Sequence, residues 1–175
     1  MSKTLRSGRM TIAHRATHGG CEILLDGRID DSCRLMDLAE ALQRSLHHQV
    51  TIDLGGVSFI NSAGLREWVR TLRALAACNV AVTLRACSEE MVRKMNRVPE
   101  AHEGVRLESF HAPYRCDRCG NESIHCVLVR DHAEVLRRLE AVPVRCPQCR
   151  ASMQLNELAA RYLSFVIDHL GEPCA

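Results

Sequence analysis

The chain has 175 residues, 46% hydrophobic and 25% charged, with a net charge of +2, which suits one folded domain, or one of about 110 residues with a small appendage. Residues 1–109 hold 15 Lys+Arg against 13 Asp+Glu and residues 110–175 hold 8 of each, so neither part has the basic excess of a nucleic-acid binder. No apolar signal core opens the chain and no window approaches the roughly 18 consecutive apolar residues of a membrane span; a cytoplasmic protein is the expectation, and its ten cysteines are candidates for metal ligation rather than disulfides.

Residues 9–15 and 21–28 read as strands about a turn at His18-Gly19-Gly20. Asp30, Asp31 and Ser32 form a helix-start cluster, and Leu35, Leu38, Ala39, Leu42 and Leu46 follow at helical spacing. His47-His48 ends that helix, where a contact with the C-terminal dipole accounts for it. Residues 49–54, QVTIDL, predict a short buried strand. Beyond the stretch FINSAGL (59–65), Leu65, Trp68, Val69, Leu72, Leu75 and Ala76 form an apolar stripe on one helix face, with Arg66, Glu67, Arg70 and Arg73 on the other side. Residues 79–86 predict the next strand. Ser88 is the expected N-cap of a helix with Glu89 and Glu90 in its first turn, ended by Pro99. Residues 105–109 complete the pattern as a final strand. Strands alternating with helices give an α/β domain with helices packed on a sheet.

Composition changes at His111-Ala112-Pro113-Tyr114, which sets a first domain at 8–110 and a second segment at 111–175. The second segment holds Cys116-x-x-Cys119 and, after 26 residues, Cys146-x-x-Cys149. Each Cys-x-x-Cys turn converges two thiolates on one ion, and two of them supply four soft ligands in a tetrahedron, which suits a structural zinc with all positions filled. Gly120 eases the first turn. The spacer has room for a strand over Ser123–Val129, with Ile124, Cys126 and Leu128 as its half-buried side, and a helical piece over Asp131–Glu140. His125, Cys126 and His132 are weaker ligand alternatives. So small a segment lacks the core to fold alone, so metal binding supplies folding energy. Cys21, Cys33, Cys78 and Cys87 read as small core residues, and Cys174 as part of a frayed tail. The closing stretch from Asn156 predicts a capped helix. Its wide apolar face of Leu158, Ala159, Tyr162, Leu163, Val166, Ile167 and Leu170 must cover the first domain or a partner.

The sequence VTIDLGGVSFINSAGLREWVRTL (50–72) resembles the signature of STAS domains, the fold of anti-sigma factor antagonists. Asp26-Gly27-Arg28-Ile29-Asp30 and the strand ending Arg85-Ala86-Cys87-Ser88 extend the likeness to about residues 8–110. The resemblance implies a mixed sheet of four to five strands with helices packed on it, followed here by a small four-cysteine zinc-ribbon-like segment. In such domains the turn reads Asp-Ser-Ser-Gly at the start of the second helix, and a partner kinase phosphorylates the second serine to switch binding off. Asn61 takes the place of the aspartate, Ser62 the first serine and Ala63 the second. Ala63 has no hydroxyl, so the usual phosphorylation is impossible; Ser62 is read here as a helix cap before a phosphate acceptor.

The resemblance makes Ser58, Asn61, Ser62, Ala63, Gly64 and Arg66 the partner-binding candidates, for a protein such as an anti-sigma factor, a kinase-like regulator or a signalling scaffold, with homo-oligomers also open. A fixed subunit of a transporter or stressosome-like assembly is the second reading. Nucleic-acid binding through the zinc segment is a weaker third, because acidic residues balance Arg115, Arg118, Arg145 and Arg150. No Ser-His-Asp spacing, paired carboxylates or glycine-rich nucleotide loop supports an enzyme.

Overall fold

A computed structural model describes residues 2–17, 20–44 and 47–171. His18, Gly19, Leu46 and Cys174 therefore lie outside the described residues. The first sheet has six strands in the order β1 (Ser2–Ser7), β2 (Met10–Thr17), β3 (Gly20–Ile29), β4 (Gln49–Ile60), β5 (Ala81–Arg85) and β6 (Arg106–Leu107). β1, β2 and β3 pair antiparallel, whereas β3 to β6 pair parallel. The sheet is mixed α/β, with six strands where four to five are expected from sequence. The added strand is β1, an edge strand whose sequence SKTLRS carries no strong apolar alternation.

Parallel neighbours need crossovers, and helices supply them: α1 (Leu35–Arg44) joins β3 to β4, α2 (Ser62–Ala77) joins β4 to β5, and α3 (Glu89–Met95) leads from β5 toward β6. α1 and α2 pack on each other. Leu35, Ala39 and Leu42 of α1 and Trp68, Leu72 and Leu75 of α2 are buried with Ile23, Leu25, Ile52, Leu54 and Leu84 of the strands. Trp68 Nε1 donates to the Ala101 carbonyl at 2.8 Å, which ties α2 to the turn at Pro99–Ala101. Ser88 caps α3 through the Met91 amide, as its position predicts.

β4 is longer than the expected 49–54 strand. It continues through Gly55-Gly56 to Ile60, and its pairing with β3 shifts register past Leu24.

Residues 110–114 lie inside a strand, β7 (Ser109–Arg115). β7 belongs to a second, antiparallel sheet of order β8-β7-β10-β9, completed by β8 (Glu122–Leu128), β9 (Val144–Arg145) and β10 (Ser152–Leu155). A 3₁₀ turn (Arg130–His132) and α4 (Ala133–Arg137) fill the spacer, as expected. The expected burial of β8 is inverted: Val127 is buried, whereas Ile124, Cys126 and Leu128 are exposed. Cys78 is exposed as well, while Cys21, Cys33 and Cys87 are buried.

The closing stretch is not one helix capped by Asn156. It forms a single turn, α5 (Ala159–Tyr162), then a 3₁₀ segment at Ser164–His169. Asn96 explains the break. Its Oδ1 accepts from Ser164 Oγ at 2.6 Å and from the Phe165 amide at 3.0 Å, and its Nδ2 donates to the Tyr162 carbonyl at 2.9 Å. These bonds take backbone groups away from an α ladder. Tyr162, Leu163, Phe165 and Val166 are buried, and Phe165 meets Phe110 edge-on at 5.4 Å. Part of the predicted apolar face is thus buried within the chain, while Leu158 and Ile167 stay exposed.

Candidate partner surface and metal centre

β4 ends at Ile60, and the chain turns directly into α2. Asn61 is the N-cap: its backbone is extended and its Oδ1 accepts the Gly64 amide at 2.8 Å. Ser62, the expected cap, is instead the first helical residue. Its side chain is exposed, and its hydroxyl makes no hydrogen bond with the described residues. Asn and Ser side chains can both cap a helix, and the extended backbone of Asn61 assigns the role to it. Gly64 is buried. A Cβ there would sit 2.2 Å from the Ile29 carbonyl oxygen, so glycine lets α2 start hard against the end of β3. The Asn61 amide donates to that same carbonyl at 3.2 Å.

Around this turn, Ser58 is exposed and its Oγ donates to the Gly27 carbonyl at 3.1 Å. The Arg28 guanidinium lies over the Phe59 ring at 3.9 Å, a cation–π contact at the rim. Ala63 is half-buried and Arg66 exposed. The structure therefore brings Ser58, Asn61, Ser62, Ala63 and Arg66 to one end of the sheet, with Gly64 beneath them as a packing contact.

A shallow groove of about 600 Å³ runs from Ser62 and Arg66 along α2, lined by Leu65, Val69, Arg70 and Arg73 and closed by Val98 and Glu100. Sequence reasoning placed Leu65 and Val69 in the buried stripe; they sit at its margin, half-exposed. Val98 and Glu100 were missed, because tertiary folding alone carries the α3 end to this side of α2. No acidic residue stands in the first turn of α2 itself.

The four cysteines come together as their spacing predicts. Cys116, Cys119, Cys146 and Cys149 offer sulfurs that all lie within 4.8 Å of one another, with Cys116–Cys149 and Cys119–Cys146 each at 3.5 Å. Four sulfurs about 2.3 Å from one ion stand about 3.8 Å apart in a tetrahedron, so the cluster could bind a metal ion. His125, Cys126 and His132 are not part of it; His125 bonds Ser123 at 3.0 Å and meets the Tyr114 ring edge-on.

The two knuckles repeat one backbone design. Gly120 and Arg150 donate to the carbonyls of Cys116 and Cys146 at 2.8 and 2.9 Å, and Cys116 and Cys146 donate to the carbonyls of Asn121 and Ala151. Gly120 and Arg150 both have left-handed backbones, φ 71° and 59°. Burial pushes the Cys146 thiol up, but the amides of Cys149 and Gln148 and its thiol neighbours hold it down at about 7. At Cys119 the Asn121 amide pulls downward, and burial with the hydrogen bonds of the surrounding sulfurs outweighs it, pushing the thiol up to about 12. A divalent cation bound by the four sulfurs would displace their thiol protons.

The family model of the STAS domain matches residues 25–104, from within β3 to the turn before β6. The match includes the Asn61–Gly64 turn and all of α2, and leaves the four cysteines outside. A comparison with curated proteins finds no match. Among the described residues, no helix is long and apolar enough to cross a membrane.

Proposed function

We propose that this protein is a non-enzymatic interaction module of the anti-sigma factor antagonist kind, with the turn opening α2 as its docking knob. The observation that carries the reading is Ala63. It stands on the first turn of α2, where STAS domains of the switched type carry the phosphorylated serine, between an exposed Ser62 and a buried Gly64. The knob keeps its cap, its close contact with β3 and a basic groove beside it, and has no hydroxyl at the switch position. Binding is then constitutive, or controlled through the partner. The partner is a protein such as an anti-sigma factor, a kinase-like regulator or a signalling scaffold. The basic ridge of Arg66, Arg70 and Arg73 favours an acidic surface on it.

We assign the four cysteines to a structural zinc. An all-thiolate set closes every tetrahedral position, which leaves no place for a substrate. The ion would hold two loops of the second sheet together and supply part of that segment's folding energy. The reading as a fixed subunit of a larger assembly drew on an exposed apolar face of the terminal stretch, and with Tyr162, Leu163, Phe165 and Val166 buried that face is reduced to Leu158 and Ile167.

Affinity capture from cells with wild-type protein and an Asn61→Asp/Ala63→Ser variant, each with and without ATP, tests the proposal. A regulator held by wild type regardless of ATP, and released by the variant when ATP is added, supports it. Phosphate found on wild-type Ser62 contradicts the constitutive binding.

A further inference from the structure

Two rows of side chains run side by side along the outer face of α2. Leu65 and Val69 lie one turn apart, and Arg66, Arg70 and Arg73 follow at i, i+4 and i+7. The apolar row is half-buried and the arginines are exposed. Val98 and Glu100 form the other wall of the groove of about 600 Å³. The bond from Trp68 Nε1 to the Ala101 carbonyl, at 2.8 Å, holds that wall against α2, so the groove is already formed in the free chain. From Ser62 to Arg73 it runs for about 16 Å, at about 1.5 Å per helical residue.

None of the three arginines has an ion-pair partner among the described residues. Elsewhere on the surface Arg93 binds Glu89 and Glu157, and Arg138 binds Glu140. Among the described residues lining the groove, Glu100 is the one acid, and it stands across from the arginine row. The groove thus offers an apolar floor with positive charge along one side.

We propose that this groove takes an acidic amphipathic helix of the partner protein, laid along α2. Its apolar side covers Leu65, Val69 and Val98, and its carboxylates line the flank that faces Arg66, Arg70 and Arg73. This rests on the reading of α2 as the docking element and names what docks there. A helix satisfies its own backbone hydrogen bonds, as contact with an apolar floor requires. An extended peptide would leave amides and carbonyls unpaired there, because the backbone of α2 is already bonded within the helix. Carboxylates at i, i+4 and i+7 of the incoming helix repeat the arginine spacing. Nucleic acid would set phosphates against the apolar floor and Glu100, and a bilayer surface cannot enter between two walls.

A fluorescein-labelled synthetic helix of about 18 residues, long enough to fold in part on its own, is the probe. It carries leucines at i, i+4, i+7 and i+11 and glutamates on one flank, and its binding to the full, metal-loaded chain is read by fluorescence anisotropy. Saturable binding is expected. The same peptide with lysines for glutamates, and an acidic version broken by a central proline, are each expected to bind at least about tenfold more weakly. Arg70→Glu/Arg73→Glu, changed only at exposed positions and shown to be folded by circular dichroism, is expected to lose at least about tenfold for the acidic helix. The same variant is expected to bind the lysine peptide in its place. Ala63 lies outside the groove lining, so Ala63→Glu is expected to leave peptide binding unchanged, and a failure of the knob is read separately from a failure of the groove. Absence of saturable binding overturns the proposal, as does binding that the proline, the lysines or the charge reversal leave unchanged. So does a wild type that binds duplex DNA or phosphatidylserine vesicles in preference to the acidic helix.

Discussion

His102 Nδ1 lies 2.9 Å from His169 Nε2, joining the turn after α3 to the 3₁₀ segment near the end of the described chain. Such a contact needs one ring to donate and the other to accept, so it is lost once both rings are charged. Burial lowers the pKa of both rings, and at His169 the neighbouring His102 lowers it further, against the opposing pull of Asp168. A histidine whose folded pKa lies below its unfolded value, about 6.5, contributes stability that is fully present above that value and is lost as pH falls through the folded one. The melting temperature is expected to be flat above neutral pH and to fall on the acid side. His169→Phe, which keeps the ring packing and removes one titrating partner, should flatten that acid slope.

Asn61 holds the start of α2. Asn61→Ala is expected to cost about 1 kcal/mol in denaturant unfolding. Asn61→Asp keeps the cap and adds a negative charge at a helix end with no acidic residue in its first turn, and should match or exceed wild type by a few tenths of a kcal/mol.

Gly64 and Gly120 are glycines for different reasons, and alanine at each separates them. Gly64→Ala drives a Cβ against the Ile29 carbonyl and is expected to cost roughly 1–3 kcal/mol by displacing α2 from β3. At Gly120 a Cβ meets nothing within 4 Å, but φ is 71°, so the cost is that of left-handed backbone alone, about 1 kcal/mol. The converse substitution is Arg150→Gly in the sister knuckle. It relieves the same strain at φ 59° and should raise the unfolding free energy by about 1 kcal/mol.

Much of this was legible in the sequence. The order of strands and helices from β2 to β6, the Ser88 cap and the meeting of the four cysteines follow from periodicity, capping and ligand spacing, whereas β1, β7, β9 and β10 carried no such signal. What failed did so for identifiable reasons. At β8 the alternation was right and the face was wrong: a period of two says that Ile124, Cys126 and Leu128 share a side, not that it is the inner one. The inner side is held by Val127, by Tyr114 against His125, and by Ser123, whose hydroxyl reaches Met153 Sδ at 3.6 Å. The terminal helix failed because Asn96, distant in sequence, binds the backbone at Ser164–Phe165. At the partner surface, Val98 and Glu100 carry no local signal that they would border α2.

Removal of the metal tests the cluster. Chelation, or Cys146→Ser, is expected to lower the melting temperature and to loosen the second sheet, seen as faster amide exchange at β9 and β10 than at β3 and β4. Elemental analysis of freshly purified protein should find one zinc per chain, and none in the Cys146→Ser variant.

The most direct measurement of the central claim is titration of the wild-type chain against purified anti-sigma factors and kinase-like regulators of its own cell. It is repeated with Ala63→Glu, and in the presence of ATP. The account expects one of them to bind wild type equally with and without ATP, and to lose at least about tenfold in affinity, about 1.4 kcal/mol, when a carboxylate replaces the Ala63 methyl. Binding that is indifferent to Ala63→Glu, or wild-type binding abolished by ATP with phosphate on Ser62, would contradict it.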